Sequence, residues 1–251
     1  MPARLVDACG EIGGSMAEEK RARRKRGSLS RAEIVDAALH LMDGEGESAL
    51  TFSRLGAQLK SSPTAVYRHF ASREDLLIAL ADRLDGISLE GYEPTDDWRA
   101  DLTDLAWRAW RTAEAHPAAA AVTLLMVANS INELRAVEWI LRAMAVAGLR
   151  GRPAVMQYQV YTQMVLGAAS AYGARLVSAG SREVAEGWIQ VYAPTDPSQY
   201  PHAEAAKAEL AMMNYREVFA TQLEMYLAAL ELAVAAQDDA SENPGEHTAR
   251  A

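Results

Sequence analysis

Apolar residues recur along this chain at the three- and four-residue spacing that places side chains on one face of a helix. Ile34, Ala38 and Leu41 show this spacing near the beginning, and Leu223 and Leu230 show it near the end. No segment shows the convincing alternation of apolar and polar residues that marks a half-buried strand. The pattern therefore predicts an all-α fold.

Four short helices are predicted in the first part of the chain, because each follows a residue whose side chain can cap a helix. The four capping residues are Ser30, Thr51, Ser62 and Ser72. Pro63 suits the first turn of the third helix, where its missing N–H costs little. Since only a short turn around Lys60 separates the second helix from the third, these two form a candidate helix-turn-helix unit.

A second helical part follows a break near residues 91–94. The helices expected there cover residues 97–115, 117–127, 132–147, 153–177 and 205–236, with an irregular region at 178–206. The predicted organisation is a disordered basic arm (1–27), a helix-turn-helix domain (28–75), a larger helical domain (76–236) and a disordered tail (237–251).

The composition limits the class of protein. The chain has 251 residues, 50% of them hydrophobic, which is enough to bury a core. Its single cysteine, Cys9, excludes an internal disulfide and a cysteine-based metal cluster. The longest apolar run, at residues 117–128, is shorter than the about 20 residues that cross a bilayer. We therefore expect a soluble, cytoplasmic protein with no membrane partner.

Charge is distributed unevenly, although the net charge is −9. Residues 20–73 contain 11 Lys and Arg against 5 Asp and Glu, a net of +6, whereas residues 76–251 contain 13 against 23, a net of −10. Local charge governs contact with phosphates, so the basic part is expected to bind nucleic acid. The run Arg23, Arg24, Lys25 and Arg26 is either an arm that follows the DNA backbone or minor groove, or a solubilising tail.

Four stretches of the basic part carry a family resemblance. They are Ile34 to Leu39, Leu50-Thr51-Phe52 with Leu55-Gly56, Val66 to Phe70, and Arg73 to Leu77. In order and spacing these residues resemble the tetracycline-repressor (TetR) family of bacterial transcriptional regulators. The resemblance implies a dimer of all-helical subunits, each with three N-terminal DNA-binding helices and a larger C-terminal domain for ligand binding and dimerisation.

The helix-turn-helix pattern and the resemblance together assign a set of residues to DNA, because the second helix of such a unit enters the major groove. The set is Ser53, Arg54, Lys60, Ser62, Thr64, Ala65, Tyr67, Arg68, His69 and Arg73. Alternatives stay open: Tyr67 can pack against the second helix, His69 can be structural, and Arg54 can be solvated.

The chain departs from the family pattern at two of these positions. Lys60 stands in the turn where the family usually has glycine, and a non-glycine residue at positive φ costs about 1 kcal/mol. Ser53 stands where the tetracycline repressor itself has a base-reading arginine, so the operator of that protein is not expected here.

A ligand pocket is expected among residues 97–177, where aromatic, Met and amide side chains suit a mostly apolar organic ligand. The candidate lining residues are Trp107, Trp110, Met126, Trp139, Met144, Gln157, Tyr158, Tyr161 and Met164. Plain core packing is the alternative at each of these positions.

The last two long helices are the expected dimer interface, as the resemblance implies. The candidate residues are Gly167, Ala171 and Ala174 on the first helix, and Phe219, Leu223, Tyr226 and Leu230 on the second. The alternative is that both faces belong to the core of one subunit.

The function predicted from these observations is a ligand-responsive repressor that binds a palindromic DNA operator as a homodimer. The sequence contains none of the common hydrolase, nucleotide or zinc-protease motifs, so no enzyme activity, metal or cofactor is expected. The alternative is a small-molecule-binding helical dimer whose DNA-binding domain is vestigial.

Overall fold

The computed structural model describes residues 29–179 and 198–242, and all of the longer regular elements in these ranges are α-helices. In chain order they are α1 (Arg31–Glu45), α2 (Phe52–Gln58), α3 (Pro63–Tyr67), α4 (Arg73–Ser88), α5 (Trp98–Ala115), α6 (Pro117–Thr123), α7 (Ile131–Val146), α8 (Gly151–Ala179), α9 (Pro201–Met212) and α10 (Tyr215–Glu242). A 3-10 turn at Glu47–Ala49 joins α1 to α2. The predicted all-α fold is confirmed.

The four predicted N-caps begin α1 to α4. The Ser30 hydroxyl accepts a hydrogen bond from the Glu33 backbone N–H, and the Glu33 carboxylate accepts one from the Ser30 N–H, which forms a capping box. Thr51, Ser62 and Ser72 each accept from the backbone N–H three residues later. These caps fix where each short helix starts, because they satisfy N–H groups that have no partner inside the helix.

The predicted helix at 205–236 is wrong in two respects. The chain breaks between α9 and α10, where Met213 is extended and the Asn214 side chain accepts a hydrogen bond from the Glu217 N–H at 2.8 Å. Asparagine in this position starts a new helix. The second helix then continues to Glu242, six residues into the segment expected to be a tail.

The helix predicted at 117–127 is also too long, since α6 ends at Thr123. Leu124 and Met126 still pack on the first core, but Leu125 and Val127 between and after them are exposed. With only alternate residues packed, the segment gains too little to extend the helix.

One hydrophobic core joins the N-terminal helices to α6. Leu55, Val66 and Phe70 of the helix-turn-helix unit are completely buried with Leu80 of α4. Ala120 of α6 belongs to the same cluster, so the N-terminal helices pack directly on the larger helical part. An ion pair between Asp43 of α1 and His116, at the start of α6, spans the same contact at 2.8 Å.

A second core lies among α5, α7, α8 and α10, and an aromatic stack forms its centre. The indole of Trp110 lies between the rings of Tyr172 and Phe219, with centroid distances of 4.5 and 4.6 Å. Phe219 brings α10 into this stack, and Tyr172 brings α8. The stack therefore fixes three helices around one buried side chain.

Helix α10 is unusually apolar for a surface helix. Its segment Tyr215–Ala235 has the length and mean hydropathy, 1.4, of a membrane-spanning helix, and less than a third of that segment is buried. Glu224 and Glu231 on this helix form ion pairs with Arg99 of α5, at 2.8 and 2.7 Å. One face of α10 thus belongs to the second core, while an apolar outer face is left uncovered.

Gly173 allows the close contact between α8 and α6. A Cβ atom there would lie 2.9 Å from the Pro117 carbonyl oxygen and 3.3 Å from the Ala120 Cβ. We expect Gly173→Ala to lower the free energy of unfolding by about 1–3 kcal/mol, because the helices must move apart. Denaturant unfolding measures this change.

Gly44→Ala is the matched control, since a Cβ atom at Gly44 meets nothing within 4 Å. It is expected to leave the stability unchanged or to raise it by up to about 1 kcal/mol through helix propensity. Equal effects of the two substitutions would contradict the close contact.

Candidate nucleic-acid interface and ligand cavity

The turn between α2 and α3 is built around a very close backbone approach. A Cβ atom at Gly56 would lie 3.0 Å from both the Ser61 carbonyl oxygen and the Pro63 nitrogen. Lys60 in this turn has φ 52°, the left-handed conformation in which a non-glycine residue costs about 1 kcal/mol. The two helices are therefore held in one fixed relative orientation by backbone geometry.

Helix α3 presents polar side chains on the face opposite the core. Thr64 and Arg68 are exposed, and Tyr67 is 59% exposed while its ring edge contacts Phe52 at 4.4 Å between centroids. Tyr67 is thus both packed on α2 and available to a partner. This surface has the mixture of hydroxyl, phenol and guanidinium groups that reads base edges.

The remaining predicted residues of the unit surround this face. Ser53, Arg54, Lys60, Ser62 and Arg73 are exposed. Ala65 and His69 are half-buried. The Ser62 hydroxyl oxygen accepts a hydrogen bond from the Ala65 N–H and so caps α3, while its O–H remains able to donate to a partner.

Arg31 fixes α3 against α1 and α4, a role that the sequence analysis missed. Its guanidinium donates to the His69 carbonyl oxygen and to the Asp75 carboxylate, both at 2.7 Å, and lies 4.1 Å from the Phe70 ring centroid. Asp75 also accepts from the Ala71 N–H at 3.1 Å. The hydrogen bond from Arg31, opposed by partial burial, lowers the pKa of Asp75.

Two of the predicted DNA-contacting arginines are paired with acidic residues. Arg54 forms an ion pair with Glu45, and Arg73 forms one with Glu47 at 2.6 Å. All four side chains are substantially exposed, so each pair contributes little to stability. The guanidinium groups can therefore exchange these partners for phosphates at small cost. Arg23, Arg24, Lys25 and Arg26 lie outside the described residues.

A cavity of about 380 Å³ opens between the C-terminal half of α4 and helices α5, α7 and α8. Three of the nine predicted ligand residues line it: Met126, Tyr158 and Tyr161. Much of the remaining wall is aliphatic, and residues 124–127 form one side of the opening.

The other six predicted ligand residues lie away from this cavity. Trp107 and Trp110 belong to the aromatic stack with Phe219, Trp139 packs on Tyr92, and Met144 is fully buried. Gln157 and Met164 also lie outside the wall, and the Gln157 carbonyl oxygen accepts from the Tyr226 hydroxyl. Trp110 is almost completely buried, as a large aromatic side chain favours, whereas Trp107 is half-buried and packs against the outside of this core.

The cavity wall contains two carboxylates that the sequence analysis did not single out. They are Asp85 on α4 and Glu133 on α7. Burial, followed by the charges of Glu133 and Asp82, raises the pKa of Asp85 to about 7. Burial, followed by the charges of Glu133 and Asp85, also raises the pKa of Tyr158. The sequence alone gave no sign that Asp85 and Glu133 line a cavity, because acidic residues are common on the exposed faces of helices.

Comparison with known proteins decides the family. The family model described as "Tetracyclin repressor-like, C-terminal domain" matches residues 90–234, and the one described as "Bacterial regulatory proteins, tetR family" matches residues 34–80. The chain belongs to the tetracycline-repressor family.

Individual members of this TetR family are distant from the chain in sequence. An HTH-type transcriptional regulator of Saccharopolyspora erythraea is 28% identical over 153 residues, which cover 61% of this chain and 64% of that relative. The chain thus spans somewhat less than two thirds of the length of that curated relative.

Solved structures share the fold over most of the chain. A possible TetR-family transcriptional regulator from Streptomyces coelicolor superposes with a TM-score of 0.70 at 26% identity, covering 81% of this chain and all of that one. Apo ActR from the same organism gives 0.69 at 21% identity and covers 85% of this chain and all of that one.

Of the predicted dimer residues, those on α10 are buried within the subunit, whereas those on α8 lie at its surface. Phe219, Leu223, Tyr226 and Leu230 are buried in the core of their own subunit, as the alternative interpretation had it. The reason is that this stripe of α10 contacts the Trp110 stack. Gly167, Ala171 and Ala174, in contrast, lie on a face of α8 where Ala171 and Ala174 are exposed and a Cβ at Gly167 would meet nothing within 4 Å.

Arg31→Ala is expected to destabilise the protein by about 1–2 kcal/mol, because two hydrogen bonds that join α1 to His69 and to α4 are lost together with a ring contact, although the guanidinium is half exposed. Thermal unfolding measures the loss. Arg83→Ala is the matched control, since Arg83 makes one exposed ion pair with Asp36 and its removal costs within about 0.5 kcal/mol. Equal losses in both variants would refute the role of Arg31.

The contribution of Asp85 to the stability of the protein is expected to fall as pH rises from about 4 towards 7. Its carboxyl keeps its proton up to about pH 7 in the folded chain but releases it near 3.8 when unfolded. The folded state therefore binds more protons in this interval, and the stability from that proton is lost as pH rises.

Asp85→Asn removes this dependence, so the variant should be more stable than the parent at pH 8, with the difference shrinking towards pH 4. Urea unfolding across this range checks it. Asp96→Asn is the control, because the Asp96 side chain is 98% exposed, and its stability should depend on pH as that of the parent does. The same slope in Asp85→Asn as in the parent would disprove the assignment.

Proposed function

We propose that this chain is a transcriptional repressor that binds a palindromic double-stranded DNA operator as a homodimer and releases it when a small organic effector binds. The observation that carries the proposal is the exposed polar face of α3, held rigidly by the Gly56 turn and by Arg31. A short rigid helix with free polar side chains is what the major groove accepts.

DNA contacts divide into base-reading and phosphate-binding residues. Thr64, Tyr67 and Arg68 of α3 face the bases, with Ser62, Ala65 and His69 beside them. Phosphates are bound by Lys60, Arg54 and Arg73 around the unit, together with Ser53 and the basic arm at Arg23, Arg24, Lys25 and Arg26. Phosphate contacts give salt-dependent affinity, and base contacts give sequence preference.

The homodimer forms through the outer faces of α8 and α10. Met225 and Leu232 on α10 are 68% and 74% exposed, and Gly167, Ala171 and Ala174 provide a strip on α8 where a second helix can approach closely. A two-fold axis through this face would present two α3 helices to successive major grooves, about 34–36 Å apart, and so requires a palindromic site.

The effector binds in the cavity beside α4. Its volume of about 380 Å³ lies in the usual range of ligand pockets. ActR of Streptomyces coelicolor, which has the same fold at 21% identity, has been solved in complex with actinorhodin, so this fold accommodates organic ligands. The lining residues Met126, Tyr158 and Tyr161 would contact the effector here.

Helix α4 connects the effector to the DNA. Asp85 near its end lines the cavity, while Asp75 near its start binds Arg31 and thereby α3. A ligand that moves the cavity end of this continuous helix changes the position of α3 as well. By thermodynamic reciprocity, DNA must weaken the effector by the same factor. This function needs no catalytic step and no cofactor, and it operates in the cytoplasm.

Arg68→Ala and Thr64→Ala are each expected to weaken specific DNA binding by about 1–3 kcal/mol and to relax the base preference. Fluorescence anisotropy with fragments flanking the gene of this protein, against a shuffled fragment, measures the change at several salt concentrations. Arg111→Ala removes the same charge far from α3 and should leave affinity unchanged.

Equal weakening on specific and shuffled fragments would show that the two side chains do not read bases. No DNA binding by the parent protein to any fragment would favour the alternative, a ligand-binding dimer with a vestigial DNA domain.

A further inference from the structure

The cavity beside α4 has an acidic character that its aliphatic wall conceals. Asp85 and Glu133 line it, and no Lys, Arg or His is among the described residues of the wall. Pockets for purely apolar ligands do not need charged groups, because a carboxylate without a partner is costly to bury. The two carboxylates therefore require an explanation.

Glu133 carries the clearest sign of a missing partner. Its Oε2 atom is completely buried and makes no hydrogen bond within the described part of the chain. The residue lies in the first turn of α7, where the Ser130 hydroxyl already caps the helix by accepting from the Glu133 N–H. The carboxylate is thus not needed as a cap, and one of its oxygens is buried without a donor.

Asp85 occupies an equally unfavourable position. It lies in the last turn of α4, where the carbonyl end of the helix repels negative charge. Its carboxylate has no hydrogen bond or ion pair among the described residues, and the charge of Glu133 is close enough to raise its pKa further. Each acid makes the charge of the other more costly, so above about pH 7 the ionised pair opposes folding unless a positive charge joins it.

Three hydroxyls of the wall are already engaged with the backbone. The hydroxyls of Thr112, Thr123 and Tyr161 donate to the carbonyl oxygens of Arg108, Ala119 and Leu102. These hydroxyls have less to offer a ligand than the carboxylates of Asp85 and Glu133, which are the charged groups of the wall.

We propose that the ligand of this cavity is a lipophilic amine, with its protonated nitrogen between Asp85 and Glu133 and its apolar body against the aliphatic wall. Binding of the amine does not depend on the proposed function; only its role as the effector rests on that function. An ammonium group can donate to both carboxylates, and the aromatic ring of Tyr158 belongs to the same wall.

The apolar part of the ligand is accommodated by the rest of the wall. Leu105, Ile140 and Val165 form its buried floor, and the exposed Leu125 and Val127 stand at the opening. The charge-binding groups and the apolar surface thus line one cavity of about 380 Å³, which one amphiphilic molecule can occupy. An anionic ligand is excluded by repulsion from both acids.

The test compares three probes with the same ring and different charge: 2-naphthylmethylamine, which is protonated at neutral pH, 2-naphthylmethanol and 2-naphthoate. Isothermal titration of the full-length protein at pH 7.5 is expected to give affinity about tenfold or more higher for the amine than for the alcohol. The carboxylate probe should bind most weakly.

The preference for the amine should disappear in Glu133→Gln and in Asp85→Asn, whereas the affinity for the alcohol should be retained. Retained alcohol binding also shows that the variants are folded. Glu138→Gln is the matched control, because Glu138 is an exposed carboxylate on the same helix and does not line the cavity. It should keep the full preference.

Equal binding of amine and alcohol by the parent protein would overturn the proposal, as would a preference that survives in both cavity variants. Failure of all three probes to bind would overturn it as well. The titration contains no DNA, so it is independent of operator binding. Amine binding that leaves DNA affinity unchanged would support the site and refute its role as the effector site.

Discussion

The architecture depends on one helix that belongs to two hydrophobic environments. The first three turns of α4 pack with the helix-turn-helix unit through Leu76 and Leu80, and its last turns form a wall of the cavity at Asp85. A helix of 16 residues keeps its backbone hydrogen bonds throughout, so it transmits displacement rather than absorbing it. The predicted boundary between residues 75 and 76 falls inside this helix. The helix-turn-helix unit and the cavity therefore share one continuous helix.

The two ends of α4 are restrained by different kinds of contact. At the start, Asp75 is satisfied by Arg31 and by a backbone N–H, which makes a strong local network. Near the end, Asp82 accepts a hydrogen bond from the Asn132 N–H, but Asp85 has unfavourable surroundings. The start of α4 is thus held by satisfied polar contacts, whereas its cavity end carries the electrostatic cost of Asp85.

Much of the fold was accessible from the sequence because its signals are local. Ser30, Thr51, Ser62 and Ser72 mark helix starts through side-chain caps, and such caps do not depend on distant residues. Ligand and dimer residues were less accessible, since helical periodicity shows that Trp110 or Leu223 is buried but not against what. Arg31 was missed for the same reason, because its partners lie 38 and 44 residues away. Asn214 did carry a local capping signal, and the apolar residues around it obscured that signal.

The acidic partners of Arg54 and Arg73 bear on how such a protein would find one site on a chromosome. Glu45 and Glu47 compete with phosphates for these guanidiniums, and the chain as a whole carries a net charge of −9. Both features lower affinity for DNA of arbitrary sequence, which depends almost entirely on phosphate contacts. In such a protein, contacts between α3 and the bases of the correct site would have to supply the remaining affinity. Residence on random sequence is then brief, and fewer molecules per cell are needed to keep the correct site occupied.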